Sequence, residues 1–187
     1  MYQVHKYIST LIVLFVLGNQ VCLFGQLIYT HHFSELLLEA HLDYYKPLEE
    51  WYHVSPKVKD DYMKYDLVLI NEENDREIRY YIKPYADDEL DQIPHVSMMR
   101  LMHHIATNDE NAEIKVKILD QKLLQDRYQA DWGMCQYFIP KKSYSDKPFG
   151  ALISLYAKGK STAYAVLLYR DIEYDPLEKF VYLRYRE

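Results

Sequence analysis

The sequence predicts an α+β domain: an antiparallel sheet with flanking helices. Three observations carry this. Tyr, Val and Ile are abundant, with 20 Tyr against 5 Gly in 187 residues, and such residues suit a pleated, half-buried surface. Two pairs of β-rich runs are joined by short turn-forming segments, the pattern of hairpins. One segment after Pro94 instead spaces its apolar residues as a helix does. Pairing the runs antiparallel, with helices laid over one face, is the layer arrangement these parts allow.

The N-terminus reads first as an address. His5 and Lys6 precede an apolar run from Leu11 to Leu17; Gly18-Asn19-Gln20 breaks it, and Gly25 follows Leu23-Phe24. This is the layout of a signal peptide over residues 1–26, cut after Gly25 or Gln26, although large Leu23 fits the small-x-small rule poorly. The run falls short of the ~20 apolar residues of a membrane-spanning helix. Because it partly resumes at Val21–Phe24, an uncleaved N-terminal anchor is the alternative. The expectation is an exported chain, periplasmic or secreted, with residues 27–187 as a single α+β domain and no stable membrane span after cleavage.

Removing 1–26 takes one Lys and no acid, so the net charge of −6 becomes −7. An acidic surface of that kind excludes nucleic acid as a partner, since phosphates demand a basic one, and gives no electrostatic grip on anionic lipid. Cys22 leaves with the signal, so Cys135 has no intramolecular disulfide partner and is expected to be buried and inert.

The elements follow in order. Phe33, Leu36, Leu37, Ala40 and Tyr44 keep helical spacing, while Leu36, Leu38, Ala40 and Leu42 alternate. That predicts a short helical or irregular lead-in becoming extended near Leu42. Pro47–Trp51 reads as a turn and Tyr52–Val54 as extended. Tyr65–Ile70 and Glu77–Lys83 form the first hairpin around the turn chemistry of Asn71-Glu72-Glu73-Asn74-Asp75-Arg76. Asp87-Asp88-Glu89-Leu90-Asp91 is an acidic loop. A helix runs from Pro94, a residue suited to the first helical position, to Thr107, with Met98, Leu101, Met102 and Ile105 as its stripe. Glu113–Leu119 alternates as a strand, Lys122–Gln129 reads as a short helix, and Trp132–Pro140 as a strand. Ala151–Ala157 and Thr162–Tyr169 form a second hairpin around Lys158-Gly159-Lys160. Asp175-Pro176-Leu177-Glu178 has the cap, proline and acid of a helix start, and that helix is expected to run into Leu183-Arg184-Tyr185. The tyrosines are expected to give a half-exposed sheet, with a carbohydrate- or ring-binding platform as the sharper alternative.

No catalytic signature stands in the sequence: no Gly-x-Ser-x-Gly, no His-Glu-x-x-His, no phosphate loop, no Cys-x-x-Cys. His103 and His104 are neighbours on a helix and diverge by about 100°; these, His95 and the pair His31-His32 read as solvated. The acidic loops lack the spacing of a calcium loop. No metal and no cofactor are therefore expected. The most informative polar residues lie on the strand after Asp75. Alternation puts Glu77, Arg79, Tyr81 and Lys83 on one face and Ile78, Tyr80 and Ile82 on the other. Glu77 and Arg79 form either a structural salt-bridge ladder or, with Asp131 and Trp132, a ligand-binding site. In the latter Trp132 is an aromatic wall and Gly133 permits close backbone approach. The expected function is a non-catalytic binding or assembly module for a protein, glycan or small ligand. The alternative is an extracytoplasmic hydrolase using His and a carboxylate, with or without metal.

Three blocks together resemble an uncharacterised family of secreted bacterial proteins. They are Glu77-Ile78-Arg79-Tyr80-Tyr81-Ile82-Lys83-Pro84, Ala130-Asp131-Trp132-Gly133 with Phe138-Ile139-Pro140-Lys141, and the closing hairpin and helix ending Leu183-Arg184-Tyr185. The resemblance runs from about Leu36 to the end. The order of elements is also similar to the Mog1/PsbP-like sandwich, in which a strand-Pro-x-x-Trp segment opens the sheet; here that segment would be Leu42 to Trp51, with three residues between Pro47 and Trp51. The resemblance implies that sandwich and a binding or assembly role, with metal binding in some members of the wider fold. It brings no activity and no site residues with it.

Overall fold

The computed structural model describes residues 31–45, 52–55, 63–73, 75–85, 93–171 and 182–187. The expected signal segment, the turn at 47–51, the acidic loop 87–91 and the helix start at 175–178 lie outside these residues. The chain divides into two compact units, residues 1–35 and 36–187. Residues 31–39 are helical (α1). In the first unit His31 Nε2 lies 3.5 Å from Glu35 Oε1, one helical turn on.

The second unit is α+β. Its main sheet holds β2 (His53–Val54), β3 (Leu67–Asn71), β4 (Arg76–Pro84), β5 (Lys115–Ile118), β6 (Trp132–Phe138), β7 (Phe149–Ala157) and β8 (Ser161–Tyr169). The order across it is β2-β3-β4-β8-β7-β6-β5, and each described pair is antiparallel. Both predicted hairpins form. The first turns through Asp75 at φ 48°, and the second through Gly159 at φ 73°, a left-handed backbone that glycine adopts without a Cβ penalty. β8 is apolar nearly throughout and buried at every position, which is what a strand flanked on both edges and covered on both faces requires.

Register assigns the faces. Val68, Arg79, Val166 and Leu152 align across β3, β4, β8 and β7, and α2 (Pro94–Ile105) covers this face with Met98, Leu101, Met102 and Ile105. The whole predicted stripe is thus buried. The helix stops at Ile105, short of Thr107, because Ala106 turns extended and bridges to Pro140.

The opposite face, expected to be half exposed, is covered too. Ile78, Leu167, Ala151 and Tyr137 align on it. A two-stranded ribbon of β1 (Leu42–Tyr44) and β9 (Leu183–Tyr185) lies against it. The Tyr185 hydroxyl is 3.0 Å from both Leu155 O and Ser161 O, and Tyr44 meets Tyr80 edge-on at 5.9 Å. Leu183-Arg184-Tyr185 is therefore a strand and not the end of a helix. Leu183 and Tyr185 alternate inward, and Arg186 Nε donates to Asp43 Oδ1 at 2.7 Å across the ribbon. Tyr52, Tyr65, Tyr80, Tyr128, Tyr144, Tyr164, Tyr169 and Tyr185 are all buried, so tyrosine here fills the interior. Burial pushes the Tyr80 and Tyr185 hydroxyl pKa values up, and that of Tyr44 to about 12.

Near the end of β6 the expected helix over 122–129 is a single turn, α3 (Gln121–Leu123), running into a π turn at Leu124–Tyr128. Asp120 Oδ1 caps it, accepting from Lys122 N–H at 2.9 Å and Leu123 N–H at 3.3 Å. Gln129 at φ 50° ends it. Cys135, on the ribbon-covered face, is buried. Among the described residues no helix is long and apolar enough to cross a membrane.

Candidate functional site

The four residues singled out in the sequence fall into two separate places. Glu77 and Arg79 sit on β4, on the face that α2 covers. Arg79 Nε donates to Glu77 Oε1 at 2.7 Å. The guanidinium carbon lies 4.4 Å from the Tyr144 ring centre and 5.5 Å from that of Tyr65, and the two hydroxyls are 2.7 Å apart. Arg79 is only 5% exposed. Burial works to lower its pKa, but Tyr144, Glu77 and Tyr65 outweigh it and raise the pKa, so the guanidinium stays charged. The group ties β4 to the approach to β3 and to the segment after β6. A ligand would have to displace Tyr65 or Tyr144 to reach it.

Asp131 and Trp132 lie elsewhere. Trp132 pairs with Tyr156, Tyr156 with Thr162, and Thr162 with Lys83. That places Trp132 three strands from β4, with Arg79 a further four residues along it. At ~4.8 Å per strand and ~3.4 Å per residue the two are about 20 Å apart. One surface holding all four residues, as the sequence suggested, is therefore not assembled. The Asp131 carboxylate accepts Lys158 N–H at 2.7 Å, which fixes the β7–β8 turn. Gly133 points to the ribbon-covered face. A Cβ there would lie 2.7 Å from Leu124 Cδ2, so the close approach it permits is made by the protein's own Leu124.

What the second place does offer is an open edge. Among the described residues β5 is the last strand of the sheet, and all four of its residues are exposed. Val116 is 54% exposed and Ile118 71%. Leu119 N–H donates to Gly133 O, so the two-residue alternation turns the N–H and C=O of Val116 and Ile118 away from β6. Their side chains share the face of Met134 and Trp132. On that face His95 of α2 stacks on Trp132 at 4.5 Å and 25°. Met99, one turn on from His95 and so on the same side of the helix, is 70% exposed. Outward-facing amides and β-branched side chains thus form one margin, on the face that also holds a half-buried indole.

Two further features bear on chemistry. Asp75, at the β3–β4 turn, pairs with Lys147 and Arg170, while Asp146 lies 2.9 Å from Arg170 Nη2 and 3.4 Å from Lys147 Nζ. The hydrogen bond from Lys147 leads in holding the Asp75 carboxyl below its ordinary 3.8; burial opposes it and Arg170 assists. Two cations and two anions compensate each other there, and sequence reading missed the set because its members are far apart in the chain. The His103 and His104 rings lie 5.9 Å apart. Among the described residues no carboxylate lies within 4.0 Å of His95 or His103, and no cluster of three or more His, Cys, Asp or Glu has metal-binding geometry.

No protein-family model, curated protein or solved structure matches this chain.

Proposed function

We propose that the chain is an exported, non-catalytic binding or assembly module, periplasmic or secreted, that takes a protein partner at the β5 margin. One observation carries the reading: β5 leaves Val116 and Ile118 in solvent with their backbone groups turned outward, beside Trp132. A bare apolar edge is a liability that folded proteins cover, twist away or use, and its use is the addition of a partner strand. The Mog1/PsbP-like sandwich and the kinship with secreted bacterial proteins belong to the same reading. An antiparallel sheet with a helix against one face supports the sandwich. A hydrolase would need a histidine beside a carboxylate in a pocket, and neither His95 nor His103 has that neighbour among the described residues.

The test is affinity capture from the envelope extract of the source cell, comparing the wild-type chain with Val116→Pro and Ile118→Asp. The Val116 N–H faces outward, so proline there leaves the β5–β6 bonds in place while blocking the edge. A partner held by the wild type and lost by both variants, at unchanged circular dichroism, is the expected result. A partner retained by both places the contact elsewhere.

A further inference from the structure

Resting on that reading, we infer that the strand received by β5 carries carboxylates alternating with apolar residues, and that a second copy of this chain is excluded from the position. Lys115 and Lys117 stand opposite Tyr137 and Cys135, whereas Val116 and Ile118 stand opposite Gln136 and Met134. The edge therefore presents two ammonium groups on one face and two β-branched side chains on the other. Lys115 is only loosely paired, 3.8 Å from Glu113, and Lys117 has no carboxylate within 4.0 Å among the described residues.

An antiparallel strand added here sets each of its residues about 4.5–5.5 Å, Cβ to Cβ, from one of these four. Opposite Lys115 and Lys117 that distance suits a carboxylate, and opposite Val116 and Ile118 an aliphatic side chain. The same geometry rejects a second copy. Continuing the sheet antiparallel keeps the faces, so in the register that overlaps β5 most fully, Val116 opposite Val116, Lys115 of one chain meets Lys117 of the other twice over, and like charges directly opposite are destabilising. Lysine on an edge strand is a common guard against self-pairing, and here it leaves the edge selective for the opposite charge. The chain's net charge of −6 does not cancel this preference, because charges beyond about 8 Å are screened at physiological salt while the pairs across the ladder are closer.

The probes are acetylated hexapeptides alternating Glu with Val and Ile, their Lys counterparts, and the Glu peptide N-methylated on the amides that would face β5. Each is titrated calorimetrically into the full chain at low and moderate salt. The Glu peptide is expected to bind at least tenfold tighter than the Lys peptide, to weaken with salt, and to lose binding on N-methylation. Lys115→Glu with Lys117→Glu is expected to reverse the preference. Equal affinity for the two peptides, no binding of either, or no reversal overturns the inference. So does unchanged binding of the N-methylated peptide, or a dimer in sedimentation that Val116→Pro abolishes. If an envelope partner is lost on Val116→Pro while the peptides do not discriminate, docking at β5 stands and the charge rule falls.

Discussion

Arg79→Met should be among the most damaging single substitutions in the sheet. The guanidinium is 5% exposed and bonds at 2.7 Å to a glutamate whose side chain is 12% exposed. Methionine keeps much of the stem volume but leaves the Glu77 carboxylate interior and unpaired. Stranding one member of a buried pair costs about 3–5 kcal/mol. The Tyr144 and Tyr65 faces lose a cation they flank, worth about 1–2 kcal/mol when desolvated. The expected loss is therefore ~4–7 kcal/mol, and for a chain of this size each kcal/mol lowers Tm by about 2–4 °C.

The double variant Glu77→Leu/Arg79→Met separates the two halves of that loss. With both charges gone nothing is stranded, and replacing a buried pair by apolar groups is often neutral or stabilising by about 1–4 kcal/mol. The double variant should thus be more stable than Arg79→Met alone, an inversion that urea denaturation followed by circular dichroism reads directly. A single-variant loss under ~1 kcal/mol would refute the interior brace, since a surface pair contributes no more than that. Near-native stability joined to loss of partner capture would return Glu77 and Arg79 to the role of a ligand site.

Three shorter predictions follow from other places in the fold. Gly133→Ala puts a methyl 2.7 Å from Leu124 Cδ2 and 3.0 Å from Leu119 Cδ1, so it should destabilise by about 1–3 kcal/mol through overpacking, measured by the same urea titration. Asp75 has a folded pKa below its unfolded value, so its contribution is present above the ordinary carboxylate range and is lost as pH falls through the depressed folded value. The stability gap between wild type and Asp75→Asn should therefore close below about pH 4; because the side chain is 44% exposed, the gap at neutral pH should stay under ~1 kcal/mol. Cys135 is wholly buried and should resist maleimide until urea unfolds the chain; labelling of the native protein at the rate of a small free thiol would contradict its place in the core.

The strands and α2 were legible because each writes its own period into neighbouring residues. Lys-Val-Lys-Ile and Met98-x-x-Leu101-Met102-x-x-Ile105 announce their geometry without help from the rest of the chain. What covers a face is decided by residues distant in sequence, and that is where the reading failed. Arg79 and Ile78 sit on opposite faces as alternation requires. Whether either face was wet depended on Tyr144, on Tyr65 and on a ribbon whose second strand begins at Leu183. Leu183-Arg184-Tyr185 is too short to show a period, so the helix signal before it prevailed. Asp131 and Trp132, neighbours in the chain, diverge because the first caps a turn and the second enters the sheet. β5 states the limit most plainly. Its alternation of charge and branch is the pattern of a half-buried strand. Its exposure comes from the strand order, which ends at β5 and gives Val116 and Ile118 no neighbour beyond it among the described residues. A pattern that would bury one face in mid-sheet instead presents, at the edge, both an apolar row and a cationic row to whatever strand arrives.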